Sequence, residues 1–142
     1  MLLQRIGHFF YTKIPIIPYV FNILIRLIHN CAVFSETTIG KNTVFAYGGI
    51  GVVIHKRCVI GEHCIIGSNV TLGGRSRSEE VPVIGDACFI ATGAKVLGGD
   101  KIGSNCVIGA NAVVVSDVPE NCVAAGIPAR IIKRNINAKD YY

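Results

Sequence analysis

The sequence has no uninterrupted apolar run long enough for a membrane-spanning helix. Its most apolar stretch, residues 14–28, is broken by two prolines and by Asn22 and Arg26, whereas a spanning helix needs about 20 consecutive apolar residues. The N-terminus also lacks the small-residue cleavage site of a signal peptide. We therefore expect residues 1–30 to pack on the protein's own surface or to contact a membrane peripherally.

Long polar, proline-rich or single-sign tracts are also missing, so extended disorder is not expected in these 142 residues, whose number suits one domain. The net charge is +5. A nucleic-acid surface needs aromatic side chains interleaved with basic residues along it. Here the aromatics lie mostly in the first 21 residues and at the very end, so no nucleic acid is expected. A small anionic ligand that carries phosphates explains the charge instead.

What the sequence does have is an aliphatic residue at every sixth position. A six-residue period matches neither an α-helix nor simple strand alternation. It fits a coil of three short strands joined by corners, and such coils stack into a β-solenoid with a dry core. The aliphatic repeat consists of Val33, Ile39 and Phe45, then Ile54, Ile60, Ile66 and Leu72, then Ile84, Ile90, Val96, Ile102, Ile108 and Val114.

The corners of the coil require residues that tolerate positive φ, and asparagine is one of them. Four asparagines stand three residues after an inward aliphatic, where a corner is expected. They are Asn42, Asn69, Asn105 and Asn111.

The six cysteines show no CxxC spacing and follow the same frame. Five of them stand two residues before an inward aliphatic, in a slot that alanine, valine or threonine fills elsewhere: Cys31, Cys58, Cys64, Cys88 and Cys106. Cysteine acts in such a slot as a small hydrophobe. We therefore expect neither disulfides nor a metal site, and reduced thiols indicate a cytoplasmic protein.

The repeat is interrupted twice, and each interruption falls at a corner. We name the three faces A, B and C, beginning with Val33 on face A. The nine-residue step from Phe45 to Ile54 then lies on the corner from face C to face A, the C–A corner. The twelve-residue step from Leu72 to Ile84 lies on the corner from face A to face B, the A–B corner. Loops that leave a rigid scaffold often carry function.

Residues 1–30 show helical spacing in place of the six-residue period. Pro18 suits the start of a helix and Asn30 its end, and a short earlier helix is expected near the N-terminus. The predicted organisation is a helical segment over residues 1–30, a β-solenoid over residues 31–134 and a tail over residues 135–142. The chain after Ala129 is expected to add a short helix or strand.

Four stretches make the sequence resemble a hexapeptide-repeat acyltransferase, and in particular the serine O-acetyltransferase branch. They are VTLGGRSRS at residues 70–78, PVIGDACFIATGAKVLGG at residues 82–99, KIGSNCVIGANAVVVSDVP at residues 101–119 and AAGIPARII at residues 124–132. The resemblance implies a mainly β fold, the left-handed parallel β-helix. It also implies an acetyl-CoA-dependent transferase that works as a homotrimer, with its sites in clefts between neighbouring solenoids.

Many members of this branch act in surface-polysaccharide pathways. The expected acceptor is therefore a hydroxyl of a sugar or polysaccharide precursor, with a sugar amine as a close variant and free serine as the alternative. Acetyl-CoA is the expected co-substrate, without a metal. By position, the resemblance places its pantetheine arm beside Gly73, Gly74, Ala91, Thr92, Gly109 and Ala110, and its phosphates near Arg130 and Lys133. The alternatives are turn geometry for the glycines and solvated tail charge for the two basic residues.

The sequence departs from the family pattern at two places. Members carry a catalytic histidine before the GIVV-like strand, where this chain reads Tyr47-Gly48-Gly49. Serine-specific members carry Arg-His before the loop proline, where this chain has Glu80 and Val81. Glutamate cannot replace the bidentate pairing of arginine with an amino-acid carboxylate, which argues against free serine. The missing histidine keeps open a non-catalytic scaffold. A metal-dependent hydratase would need three histidines in the solenoid, which holds two.

Direct acetyl transfer needs a base for the acceptor proton and a donor for the developing oxyanion. Histidine suits the first task because its pKa of ~6.5 lies near working pH. His8 and His29 belong to the helical segment, where surface or capping roles are expected, and His63 takes a corner position. His55 stands where glycine is usual, one coil before the root of the loop, and is the predicted base unless backbone carbonyls hold its ring. Tyr47 is the second candidate, to bind the acceptor or donate a proton.

Overall fold

The computed structural model describes residues 2–11, 16–76 and 78–142. Two α-helices open the chain, α1 over Leu2–Phe10 and α2 over Ile16–His29. Fifteen strands follow within the described ranges, and most of them are two residues long. In chain order, β1 to β15 are Ala32–Val33, Thr38–Ile39, Val44–Phe45, Val53–Ile54, Val59–Ile60, Ile65–Ile66, Thr71–Gly73, Val83–Ile84, Phe89–Ile90, Lys95–Leu97, Lys101–Ile102, Val107–Ile108, Val113–Val114, Cys122–Gly126 and Ala129–Arg134.

The strands form three sheets, one for each face of a triangular coil. Face A contains β1, β4, β7, β10 and β13; face B contains β2, β5, β8 and β11; face C contains β3, β6, β9, β12, β14 and β15. Neighbouring described strands pair in parallel, except that β14 and β15 form an antiparallel hairpin. Val33 pairs with Ile54 and Ile54 with Leu72, in the register predicted for face A. The predicted parallel β-helix with a short helical N-terminal segment is therefore confirmed.

The interior is the dry aliphatic core that the six-residue period predicts. Ile54 and Leu72 are fully buried, and burial of one such side chain stabilises the fold by about 1.5–3 kcal/mol. All six cysteines are buried and unpaired, including Cys122, which occupies the same small slot. Several of the thiols donate to corner carbonyls; Cys88 Sγ, for example, donates to Gly103 O at 3.1 Å. The cysteines thus act as small core residues, as expected.

The corners adopt the left-handed backbone conformation that asparagine tolerates. The φ angle is +58° at Asn42, +56° at Asn69, +57° at Asn105 and +55° at Asn111. His63 occupies the equivalent corner between β5 and β6 with a φ of +56°. Its position as a corner residue agrees with the sequence analysis.

The two helices lie across the N-terminal end of the solenoid. Ile25 of α2 is fully buried. Asn22 Oδ1 accepts hydrogen bonds from the backbone N–H and the hydroxyl of Ser35, both at 2.8 Å. Gln4 of α1 is buried and donates to Thr37 O at 2.9 Å. These contacts cover the first coil, whose core would otherwise meet water.

The other side of α2 is apolar and open to solvent. Pro18 lies in its first turn, and Asn30 follows its last residue with a φ of +48°, as predicted for the two helix ends. Among the described residues, no helix is long and apolar enough to cross a membrane. The exposed apolar side chains of α2 are Ile16, Tyr19, Val20, Ile23, Leu27 and Ile28.

The chain after Ala129 forms both elements that were expected as alternatives. β15 completes face C, and a short 3₁₀ helix follows over Ala138–Tyr141. Ala138 N–H donates to Asn105 Oδ1 at 2.7 Å. Ala138 also packs on Val107 and Val123 on the outer side of face C. The tail therefore covers an apolar strip of that sheet.

Candidate active site

The twelve-residue interruption forms a loop between β7 and β8 that folds back along the A–B corner. Arg75 Nη2 donates to Val115 O at 2.8 Å and to Leu97 O at 3.2 Å, and it lies 3.5 Å from Asp100 Oδ2. Gly98 leaves room for this guanidinium, because a Cβ at Gly98 would lie 3.2 Å from Arg75 Nε. The loop is thus fastened to the coils that follow it in the sequence.

His55 lies at the root of this loop, as its position one coil before Gly73 predicts. Its backbone N–H donates to Leu72 O at 2.8 Å, and its side chain is half-buried. Nδ1 accepts a hydrogen bond from the Arg57 backbone N–H at 3.2 Å. The proton of the neutral ring is therefore on Nε2. The ring is held by its own corner, and not by carbonyls of the loop.

This tautomer determines what His55 can do. An imidazole that carries its proton on Nε2 offers a hydrogen-bond donor there and cannot accept a proton at that atom. His55 is therefore suited to stabilise an oxyanion and poorly suited to act as the base. Nearby Cys58 offers no nucleophile, because burial raises the pKa of its thiol to about 11. The Arg57 side chain reaches Glu79, donating to its carbonyl oxygen and lying 3.9 Å from its carboxylate.

The nine-residue interruption forms a 3₁₀ turn over Ala46–Gly49 on the C–A corner. Four residues at this turn have positive φ: Tyr47 at 52°, Gly48 at 70°, Gly49 at 81° and Gly51 at 68°. The left-handed region is uncommon for a tyrosine, and such conformations cluster at functional sites. The Tyr47 side chain is 83% exposed. It presents its hydroxyl to solvent at the start of this corner.

The structure does not bring His55 and Tyr47 together. They lie on different corners, at the two ends of β4. The four-residue path from Gly51 to His55 spans about 13 Å in an extended strand. The two predicted catalytic residues therefore stand at opposite ends of a strand of face A within a single solenoid.

The predicted cofactor residues divide between the same two corners. Gly73 and Gly74 lie at the root of the loop on the A–B corner. The other four follow β9 and β12 of face C and stack on the C–A corner, in the coils after the Tyr47 turn. They are Ala91, Thr92, Gly109 and Ala110.

The C–A corner is built too closely for larger side chains. A Cβ on Gly67 would lie 2.6 Å from Thr92 N, and a Cβ on Gly109 would lie 2.9 Å from Ala125 Cβ. The hydroxyls of Ser68 and Thr92 are 3.4 Å apart. This corner therefore presents a narrow surface of small residues and hydroxyls along which an extended ligand can lie.

Strand β15 separates the two residues predicted to bind phosphates. Arg130 pairs with Ala125 at the C–A corner, and its side chain is exposed. Lys133 pairs with Val123, and its Nζ lies 5.7 Å from the centre of the Tyr141 ring. Arg130 shares a corner with four of the predicted cofactor residues, whereas Lys133 lies against the C-terminal tail.

Two other histidines are engaged away from these corners. His8 Nδ1 donates to Ser35 O at 2.7 Å. His63 is exposed, with Nε2 3.5 Å from Asn42 Nδ2. Across residues 2–11, 16–76 and 78–142, no three His, Cys, Asp or Glu side chains gather as a metal site requires.

His29, for which the sequence predicted a surface or capping role, lies next to the candidate site. It ends α2, yet its ring lies at the Tyr47 turn: a Cβ built on Gly48 would lie 3.7 Å from His29 Nδ1. The contact joins residues far apart in the sequence, through the packing of α2 on the first coil. A helical position alone carries no signal of such a contact.

Comparisons with known proteins agree with this architecture. A family model described as bacterial transferase hexapeptide (six repeats) matches residues 82–116. The chain is 36% identical over 138 residues to a serine acetyltransferase of Synechococcus elongatus. The alignment covers 95% of this chain and 56% of that protein. This chain thus spans little more than half the length of that relative.

Solved structures give the same result. The serine acetyltransferase of Brucella abortus strain S19 in complex with coenzyme A is similar with a TM-score of 0.89 and 28% identity, over 96% of this chain and 55% of that chain. Soybean serine acetyltransferase complexed with serine is similar with a TM-score of 0.85 and 33% identity, over 92% of this chain and 54% of that chain.

Proposed function

Because this chain is a hexapeptide-repeat β-solenoid related to the serine acetyltransferases, we propose that it transfers the acetyl group of acetyl-CoA to a hydroxyl acceptor. L-serine is the acceptor that we place first. The similarity over nearly the whole chain carries this proposal, because it includes both irregular corners and is not confined to the repeat. A shared repeat alone would support the fold and leave the chemistry open.

We place acetyl-CoA along the C–A corner. The small residues there let an extended arm approach the backbone closely, and the Arg130 guanidinium lies at the far end of the same corner. A planar guanidinium is suited to phosphate oxygens, and the net charge of +5 favours an anionic ligand. When bound, acetyl-CoA supplies the activated acetyl thioester.

The relatives favour serine over the sugar acceptor that the sequence analysis placed first. Serine-specific members carry an arginine in this loop where this chain has Glu80. Because Glu80 cannot pair with a carboxylate, another residue must bind the serine carboxylate. Glu80 packs beside Gly99, where a Cβ would lie 2.6 Å from Glu80 Cβ. Arg57 is a cation at this corner whose backbone N–H already bonds to the His55 ring. Its side chain is 50% exposed and lies beside Glu79. We assign the serine carboxylate to Arg57.

In the reaction, the acceptor oxygen bonds to the acetyl carbon, and the carbon–sulfur bond breaks afterwards. The acceptor proton must pass to a base, and the developing oxyanion needs a donor. His55 Nε2–H and the Tyr47 hydroxyl are both donors, on opposite corners. They serve one acetyl carbon if the A–B corner of one copy faces the C–A corner of another.

This arrangement supports the homotrimer implied by the family, which we retain as part of the proposal. Light scattering of the purified protein at several concentrations tests it, with three copies expected. A monomer at all concentrations would argue against a shared site. Vesicle co-sedimentation tests the alternative use of residues 1–30, contact with a membrane surface.

A core of free thiols suits a reducing compartment, and we place the protein in the cytoplasm.

The decisive experiment measures thiol release from acetyl-CoA, with products identified by mass spectrometry. L-serine, neutral sugars and amino sugars are compared as acceptors. Serine-dependent release is expected, and Arg57→Lys should raise KM for serine about tenfold because a charged bidentate pairing is lost. Arg134→Lys, on the exposed end of β15, is the matched control and should leave KM unchanged.

Thiol release that depends on a sugar and not on serine would support a sugar or polysaccharide precursor as the acceptor. A second candidate, a scaffold without catalysis, is favoured by one observation: the family histidine is absent from the Tyr47 turn. Acetyl-CoA binding by calorimetry, without turnover on any acceptor, would support the scaffold.

A further inference from the structure

The turn at Tyr47 lacks a side chain where it would point toward α2. Gly48 has a φ of 70°. Apart from its two chain neighbours, the described residue that comes within 4 Å of the place its Cβ would take is His29, with Nδ1 at 3.7 Å. The imidazole thus lies in van der Waals reach of that place. The helix supplies at this corner a group that the turn itself does not carry.

Hydrogen bonds on the far side of His29 hold the helix end and the turn together. Asn30 O accepts a hydrogen bond from Gly51 N–H at 3.0 Å, and Ala32 N–H donates to Val52 O at 2.8 Å. His29 is itself the last residue of α2. Its backbone position is therefore set by ordered structure on both sides, which a group that must act at a defined point requires.

Among the described residues, His29 is the histidine whose ring makes no hydrogen bond. In the described residues, His8, His55 and His63 each use one ring nitrogen in a hydrogen bond. None of the described side chains or backbone groups bonds to the ring of His29, which is half-buried. Both of its nitrogens are free to exchange a proton with a ligand.

The position of His29 along the solenoid agrees with the placement of acetyl-CoA. The Tyr47 turn follows β3, and β3, β6 and β9 are neighbours on face C. The turn therefore lies two coils from Ala91, or about 10 Å at the spacing of paired strands. His29 shares this corner with the predicted cofactor residues there, whereas His55 lies on the other.

We propose that His29 is the general base of the acetyl transfer, an inference that rests on the function proposed above. The acceptor O–H gives its proton to an imidazole nitrogen of His29 while its oxygen bonds to the acetyl carbon. The carbon–sulfur bond then breaks, and the departing sulfur takes that proton to leave as a free thiol. Atoms and charge balance, and the imidazole returns to its neutral form.

The test compares wild type with His29→Ala and His29→Gln in steady-state transfer from acetyl-CoA to serine. We expect kcat to fall by about 10²–10⁴-fold, with the affinity for acetyl-CoA and the circular dichroism spectrum unchanged. The acid limb of the pH–rate profile, which a histidine base produces, should disappear in His29→Gln. Added imidazole should partly restore His29→Ala. His63→Asn is the control, because asparagine occupies the equivalent corner elsewhere, and it should retain wild-type rates.

The outcomes separate the two proposals. Turnover by wild type and a His29→Gln rate within threefold of it would overturn the role of His29 and leave the transferase intact. The same holds for a His29→Gln variant that keeps the wild-type acid limb. No turnover by wild type on any acceptor would overturn both proposals.

Discussion

Two buried threonines offer opposite tests of how the solenoid treats polar groups in its core. Thr37 is 0% and Thr43 is 4% exposed, and both occupy the small inward slot. Thr37 Oγ1 makes no hydrogen bond with any described residue. Thr43 Oγ1 donates to Gly61 O at 2.7 Å and accepts from Cys64 N–H at 3.0 Å. Valine has the shape of threonine without its hydroxyl, so replacing each threonine by valine tests the hydroxyl at each site.

The expected effects have opposite signs. A buried hydroxyl without a partner costs about 1–3 kcal/mol, so Thr37→Val should raise the free energy of unfolding by at least about 1 kcal/mol. Thr43→Val removes two hydrogen bonds and leaves the Gly61 carbonyl and the Cys64 N–H without a partner. We expect it to lower the free energy of unfolding by about 2–4 kcal/mol.

Urea unfolding followed by circular dichroism measures both changes. Protein concentrations are matched, because assembly would add a concentration-dependent term, and the slope with urea should be the same in all three proteins. Thr37→Ser, which keeps the hydroxyl and loses the methyl, should not stabilise. The reasoning is refuted if both valine variants shift the midpoint in the same direction at an unchanged slope.

Three further predictions follow from close contacts and buried groups. Gly67→Ala should destabilise the fold and weaken acetyl-CoA binding in calorimetry, because its Cβ would lie 2.6 Å from Thr92 N; Gly73→Ala meets no atom closer than 3.9 Å and should keep wild-type stability, and an equal loss in both would contradict this. The six thiols should resist a thiol reagent in native protein and react in urea, because all are buried; rapid native labelling would show that the core is open. Burial raises the pKa of Asp100 above its usual 3.8. Its carboxyl therefore stabilises the fold below that pH, and this contribution is lost as pH rises through the raised value. Asp100→Asn should gain stability relative to wild type between pH 3 and pH 7, and parallel curves of unfolding free energy against pH would contradict the assignment.

The solenoid itself could be predicted because its information is local and repeated. Every inward aliphatic, every small residue two places earlier and every corner asparagine reports the same frame. An error at one position is corrected by the next coil. The antiparallel return of β15 left no such trace, since it follows the last hexad and depends on pairing with β14.

The candidate site could be predicted in part, because the corner of each residue follows from counting. His55 lies at the loop root and Ala91 on the C–A corner, as the six-residue period requires. Counting does not show what a side chain touches. The bond from Arg57 N–H to His55 Nδ1, which sets the tautomer, appears only once the corner is built.

The sequence by itself determined the triangular coil, its faces, the position of both interruptions and the burial of the thiols, because each depends on a period that the chain repeats along its length. The tertiary structure alone decided that His55 and Tyr47 stand apart, that Lys133 turns to the tail and that His29 meets the Tyr47 turn. Those outcomes depend on how a helix and a hairpin pack on the coil. Packing joins residues that no spacing along the chain relates.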